Sequence, residues 1–305
     1  MTYSRNNGTH SKKRSPNMQK NLILSIQDQL QELTKKKFSK AYIVKYITPI
    51  IEYVVFSKHK KFLISGSQGI GKSTIVKILQ RNINFFYKKK ILCLSIDDYY
   101  LTKKERIDLS NKINPLFLTR GVPGTHDLKK LEKDIINFEV GKYPIKLPIF
   151  NKLNDDRSKK IKTIRTNNDI LLLEGWCCGC PPISQNYLLK SINDLEKVKD
   201  KNKKWRKIYN QKLKYDYANL FKRFNAIIYI KPPSFSQVVN WRFKQEKMMR
   251  KKNVNTNFMD KKQIEDFVKY YEKITKWMIK KMPSISNLII FVDKKQKIKK
   301  LKKIN

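Results

Sequence analysis

Five short apolar runs alternating with helical stretches, and a glycine-rich loop set between the first run and the helix after it, predict an open α/β fold built on a parallel sheet. The runs are 61–65 (KFLIS), 91–96 (ILCLSI), 169–173 (DILLL), 226–230 (AIIYI) and 288–292 (LIIFV). Each is short enough for a strand and continuous enough to be buried on both faces, as inner parallel strands are. Between them apolar residues recur at helical spacing over 72–86, 127–138, 203–222, 234–250 and 262–281. Every successive pair of strands therefore has a helix to carry the crossover.

Residues 1–17 (MTYSRNNGTHSKKRSPN) come first and are polar, basic and aperiodic, so they are expected to be disordered. Two amphipathic stretches, 18–36 and 40–56, predict a helical extension over 18–58. The remainder, 59–305, reads as one domain, since it shows neither an internal repeat nor a second apolar core.

With 305 residues, 40% of them hydrophobic, the chain has enough apolar surface for a large core. No stretch approaches the roughly 18–20 apolar residues of a spanning helix, and the N-terminus lacks the apolar centre of a secretory signal. A cytoplasmic protein without a membrane partner is expected. The net charge of +43 invites a nucleic-acid reading. However, only 11 of the 68 basic residues are arginine, alanine occurs only at Ala41, Ala218 and Ala226, and lysines are spread along the whole chain. That is the signature of an A+T-rich coding sequence, so no specific nucleic-acid partner is expected. Cys177, Cys178 and Cys180 form C-C-x-C without the second pair or histidine that a zinc site needs, and read as small buried thiols beside a strand.

The chemistry begins after the first strand. Gly66-Ser67-Gln68-Gly69-Ile70-Gly71-Lys72-Ser73-Thr74 satisfies G-x-x-x-x-G-K-[ST] in a strand-loop-helix setting, the P-loop that cradles nucleoside triphosphate. Its glycines let backbone N–H groups turn inward, and the following helix presents its positive end to the phosphates. Lys72 is expected to reach the β- and γ-phosphates of ATP, and the Ser73 hydroxyl to coordinate Mg2+. The third run ends in Glu174, placed to act on Mg2+, directly or through water. The second ends in Asp97 and Asp98, two carboxylates at the ligand-binding edge of the sheet. Asp97 is a candidate general base for a substrate hydroxyl, and one of the two acids is expected to cap a helix or join the metal shell.

Seven of the nine glycines fall in three segments: the P-loop, Gly121 with Gly124, and Gly175 with Gly179. In a chain this poor in glycine, such grouping marks special backbone conformations. The middle segment, Arg120-Gly121-Val122-Pro123-Gly124-Thr125-His126-Asp127, reads as a shaped loop before a helix capped by Thr125 or Asp127. Against a lysine background, Arg120, Arg157 and Arg242 are candidates for work that needs a planar guanidinium.

The ordered strings GSQGIGKST, SIDDYYLT, RGVPGTHDL, PIFNKLNDDR and LLLEGW resemble the D-glycerate 3-kinase family, a branch of the phosphoribulokinase/uridine kinase group of P-loop kinases. The likeness runs from about residue 61 to 292 and implies a P-loop NTPase fold with a five-stranded parallel sheet of order 2-3-1-4-5 flanked by helices. It implies transfer of the ATP γ-phosphate to the 3-hydroxyl of D-glycerate, with Mg2+ as cofactor and Asp97 as base. NWRFKQEKMMR is similar to the family's lid, expected around 240–262, which would bring Arg242 to the phosphates on closure. The same motifs imply that Asp98, Tyr99, Arg120, His126, Asp127, Asn151 and Arg157 surround the acceptor. A kinase of another small hydroxylated metabolite, and a basic nucleic-acid-binding P-loop NTPase, are the alternatives.

Overall fold

The structure, a computed structural model, describes residues 15–252 and 259–304. The disorder expected of 1–17 lies outside the described residues as far as 14. Ser15 to Asn17 depart from it, because Ser15 Oγ accepts from Met18 N and caps helix α1 (Pro16–Thr34). Residues 253–258 of the expected lid also lie outside the description.

After α1 a second helical stretch runs through α2 (Lys40–Tyr42), a π turn (Ile43–Ile47) and α3 (Thr48–Phe56). Then come β1 (Lys61–Gly66), α4 (Lys72–Tyr87), β2 (Ile91–Ser95), a 3-10 turn (Ile96–Tyr99), α5 (Lys103–Lys112), another 3-10 turn (Pro115–Leu118) and α6 (Leu128–Glu139). Four short strands follow: β3 (Ile145–Leu147), β4 (Phe150–Asn151), β5 (Asp156–Arg157) and β6 (Lys162–Ile164). The chain continues with β7 (Ile170–Gly175), α7 (Gln185–Leu189), a π turn (Leu195–Lys199), α8 (Lys204–Lys212), a third π turn (Leu213–Tyr217) and α9 (Ala218–Phe221). Strand β8 (Ala226–Lys231), α10 (Phe235–Lys252), α11 (Lys261–Ile285), β9 (Leu288–Val292) and β10 (Ile298–Lys303) complete it.

The main sheet runs β2-β7-β1-β8-β9-β10. The five strands expected from the apolar runs are parallel and stand in the expected order 2-3-1-4-5. The count is corrected to six, because β10 adds an antiparallel edge to β9. Its sequence, IKKLKK, buries Ile298 and leaves the four lysines exposed, so it carries no apolar run to announce a strand. Hairpin β4–β5 and the pair β3–β6 lie outside the main sheet. Helix α5 was not among the expected helices, because it lacks a strong apolar stripe; it starts at a capping box of Thr102 with Glu105.

Side chains alternate across the sheet into two cores. Leu63, Leu171, Leu173, Tyr229 and Ile289 pack on one face with α6, α8, α9 and α11. Phe62, Ile64, Leu172, Ile228 and Ile290 pack on the other with α1 to α4 and α10. Each such fully buried side chain contributes about 1.5–3 kcal/mol. The N-terminal helices share this second core: Leu22, Ile26 and Leu30 of α1 lie in one cluster with Val76, Leu79 and Ile83 of α4, the helix that follows the P-loop.

A buried charge network fastens α11. Arg206, fully buried, donates Nε to Asp200 Oδ2 at 2.7 Å and approaches Glu196 at 3.5 Å. Lys273 of α11, 2% exposed, pairs with Glu196 at 3.2 Å and donates to the carbonyls of Tyr187 and Lys190. Two cations answer two carboxylates, so the cluster is neutral as a whole but not after loss of one member. Arg206→Met is therefore expected to lower stability by roughly 3–5 kcal/mol, because it strands buried carboxylates. Urea unfolding measures this, and an unchanged midpoint would refute it.

Candidate active site

Strand β1 lies between β7 and β8, so the P-loop leaves the sheet at its centre, at the C-terminal edge. The loop ends at Gly71, whose φ of 105° caps α4 in a conformation that side chains disfavour. Lys72 Nζ spans the loop, donating to Gly66 O at 2.9 Å and Ser67 O at 3.1 Å. Ser67 Oγ is buried inside the loop without a hydrogen-bond partner among the described residues, and Ile70 is buried beside Gly66. Trp241 of α10 packs against Gly69, and Gln296, from the β9–β10 turn, donates to its carbonyl.

Strand register sets Glu174 beside the loop. Ser95 of β2 stands opposite Glu174 of β7, and Ile64 of β1 is its partner on the other side. Glu174 Oε1 accepts from Ser73 Oγ at 3.1 Å and from Ser95 Oγ at 3.2 Å. Burial pushes the Glu174 carboxyl upward, and the Lys72 charge opposes that shift. An exposed hydroxyl and a half-buried carboxylate in contact at the phosphate-binding loop form an oxygen donor set that suits Mg2+, which takes its remaining ligands from phosphate and water.

The 3-10 turn after β2 separates the two aspartates. A Cβ on Gly175 would lie 2.3 Å from Ile96 Cγ2, so only glycine lets the end of β7 approach this turn. Asp97 accepts from Tyr100 OH at 2.7 Å and from Lys152 Nζ at 2.6 Å. Burial alone would raise the Asp97 carboxyl; the Lys152 ammonium, both hydrogen bonds and Lys72 outweigh it and hold Asp97 well below the usual carboxylate range. Asp98 turns away to accept from Phe150 N at 3.2 Å, and burial raises it. Of the two acids, Asp97 thus meets the cations, and Asp98 fastens β4 to the turn.

The glycine-rich RGVPGTHD loop closes the other side. Thr125 Oγ1 accepts from Gly121 N and donates to Val122 O, each at 2.8 Å. Asp127, not Thr125, caps α6, with Oδ1 accepting from Lys130 N, while its Oδ2 pairs with Arg157 at 3.3 Å. Arg157 also donates to Tyr100 O at 3.0 Å. Arg120 pairs with Asp155 and lies over the Phe150 ring, and its carbonyl accepts from Tyr271 OH at 2.6 Å. Arg242 pairs with Glu246 at 2.9 Å and lies over Phe267. Asn151 forms the turn of the β4–β5 hairpin, its Oδ1 accepting from Leu153 N and Asn154 N.

One expected residue is displaced. Tyr99, placed beside the acceptor by its motif, is 1% exposed and donates to Asp134 at 2.9 Å in the core. The 3-10 turn directs its neighbour Tyr100 to Asp97 instead. Tyr100, Lys152, Ser95, Tyr217 and Tyr271 contact the candidate site residues and were not singled out by sequence reasoning. Cys177, Cys178 and Cys180 are buried free thiols, and burial pushes Cys177 up to about 12.

His126 is buried with Nδ1 at 2.6 Å from Tyr217 OH, which also accepts from Gly124 N at 3.0 Å. Burial lowers its pKa to about 4, so at neutral pH it is an uncharged part of the wall. Below about pH 6.5 an unfolded histidine gains a proton that the folded one refuses. Its contribution to stability is complete above that pH and is lost as pH falls toward about 4. Urea midpoints between pH 4.5 and 7 should therefore rise less with pH in His126→Gln than in the unaltered chain; equal slopes would refute the burial of a neutral imidazole.

No protein-family profile matches the chain. It is 28% identical over 224 residues to the uncharacterized kinase mug58 of Schizosaccharomyces pombe, covering 68% of this chain and 76% of that one. It is 29% identical over 219 residues to the chloroplastic D-glycerate 3-kinase of Arabidopsis thaliana, again 68% of this chain but 45% of the plant protein. The solved D-glycerate 3-kinase of Cryptococcus neoformans superposes with a TM-score of 0.66 at 24% identity, over 95% of this chain and all of that one, a likeness of fold. The chain thus has the fold of the P-loop kinases and is similar in sequence to proteins named as kinases, a D-glycerate 3-kinase among them.

Proposed function

We propose that this ATP-dependent kinase transfers the γ-phosphate to the 3-hydroxyl of D-glycerate, giving 3-phosphoglycerate. The observation that carries the reading is Asp97, an ionised carboxylate at the end of β2 that lies among cations on the same sheet edge as the P-loop. The Arabidopsis thaliana relative named D-glycerate 3-kinase supports the choice of acceptor.

In this reading the N–H groups of the P-loop and the start of α4 hold the phosphates, and Lys72 leaves its carbonyl partners for the β- and γ-phosphates. Ser73 and, directly or through water, Glu174 hold Mg2+, whose charge when bound neutralises phosphate oxygens. The acceptor 3-hydroxyl lies against Asp97. As its oxygen bonds to the γ-phosphorus, the bond from that phosphorus to the β–γ bridging oxygen breaks, and the hydroxyl proton passes to Asp97. Arg242 comes to the transferring group from the lid, of which Trp241 already touches the P-loop. Arg120, His126, Asp127 and Arg157 form the acceptor wall, with Asp98 and Asn151 fixing the β4–β5 hairpin behind it.

ATP consumption measured against a panel of hydroxy acids, sugars, nucleosides and pantothenate tests the acceptor, with D-glycerate expected to give the highest kcat/KM. Another compound in that place would overturn the assignment. Asp97→Asn is expected to lower kcat by about 10²–10⁴-fold with the fold unchanged. Near-normal turnover in that variant would remove Asp97 from the role of base.

A further inference from the structure

Both oxygens of Asp97 are engaged, by groups of unequal freedom. Oδ1 accepts from Tyr100, which is buried and packed against the rings of His126 and Phe150. Oδ2 accepts from Lys152, whose side chain is 57% exposed on a long flexible stem. The backbone that carries Lys152 is, in contrast, firmly held. Asn151 closes the β4–β5 turn, Lys103 N donates to Asp156 Oδ1 at 2.9 Å, and the buried Arg106 pairs with Asp155 at 3.0 Å. A fixed turn thus presents a mobile cation to the candidate base.

The arginines nearby are matched differently. Arg120, Arg157 and Arg242 each pair with a carboxylate other than Asp97, namely Asp155, Asp127 and Glu246. The partner of Lys152 is the carboxylate that an acceptor hydroxyl must approach. A neutral alcohol has to part this ion pair and leave the ammonium without a carboxylate. An acceptor bearing its own carboxylate offers the ammonium a replacement as the hydroxyl settles on Asp97, so the exchange conserves charge pairing.

Resting on the kinase reading above, we propose that Lys152 determines acceptor specificity: its ammonium passes from Asp97 to the carboxylate of a small hydroxy acid, and the site thereby favours acidic alcohols over neutral ones. Arg120 and Arg157 then shape the wall through their own carboxylate partners, and the charge of the acceptor is read by the β4–β5 turn.

The test compares the full-length chain with Lys152→Met, which keeps the stem and removes the charge, and with Lys152→Arg, which keeps the charge. Initial rates are measured with D-glycerate and with glycerol at varied ATP. Lys152→Met should lower kcat/KM for D-glycerate by about 10–100-fold, chiefly through KM, with KM for ATP unchanged and the preference for D-glycerate over glycerol reduced by a similar factor. Lys152→Arg should retain most of that preference. Equal losses on D-glycerate and glycerol, or no loss, would overturn the role given to Lys152 while leaving the hydroxy-acid kinase intact. If the unaltered chain phosphorylates no hydroxy acid, the parent reading fails and the role of Lys152 with it.

Discussion

The register between β2, β7 and β1 is the constraint on which the rest of the site depends. Glu174 faces the P-loop because Ser95 and Ile64 are its neighbours across the ladder, and in a strand a slip of one residue sends every side chain to the opposite face. Leu171 and Leu173 fill one core and Leu172 the other, and a slip of one residue would exchange their faces and turn the Glu174 carboxylate away from Ser73 and Ser95.

Around that frame the site is organised by paired charge. Cationic side chains lean on carboxylates: Lys152 on Asp97, Arg157 on Asp127, Arg120 on Asp155 and Arg242 on Glu246. Such pairs fix a guanidinium in direction, at the cost of part of its attraction for an incoming anion. The P-loop attracts phosphate differently, through inward backbone N–H groups and the positive end of α4, where Glu174 is engaged by the Ser73 hydroxyl.

What could be read from the residues alone has a physical boundary. The P-loop, Glu174 and Asp97 were legible because each is a local string at the end of an apolar run, and strand ends are where an α/β sheet binds ligands. Helices α4, α6 and α8 to α11 were legible by their periodicity, whereas α5, without a strong apolar stripe, and α7, of five residues, were not. Strands β3 to β6, of two or three residues, are too short to show a period, and β10 is masked by its lysines. Two adjacent tyrosines look alike in sequence, and only the 3-10 turn decides that Tyr100 meets Asp97 while Tyr99 joins the core. The arginines stood out by rarity, but their carboxylates lie 30 or more residues away for Arg120 and Arg157, a separation that no local pattern reveals.

The lysines of β10 give the basic composition a local meaning. A strand at the rim of a sheet offers unpaired backbone groups to any passing strand. Here Lys299, Lys300, Lys302 and Lys303 are all exposed along that rim. Two copies meeting rim to rim would set rows of ammonium groups against each other, and the repulsion opposes growth of the sheet from one molecule into the next. A charge excess that carries little information about ligands still acts on this edge as a guard against self-association.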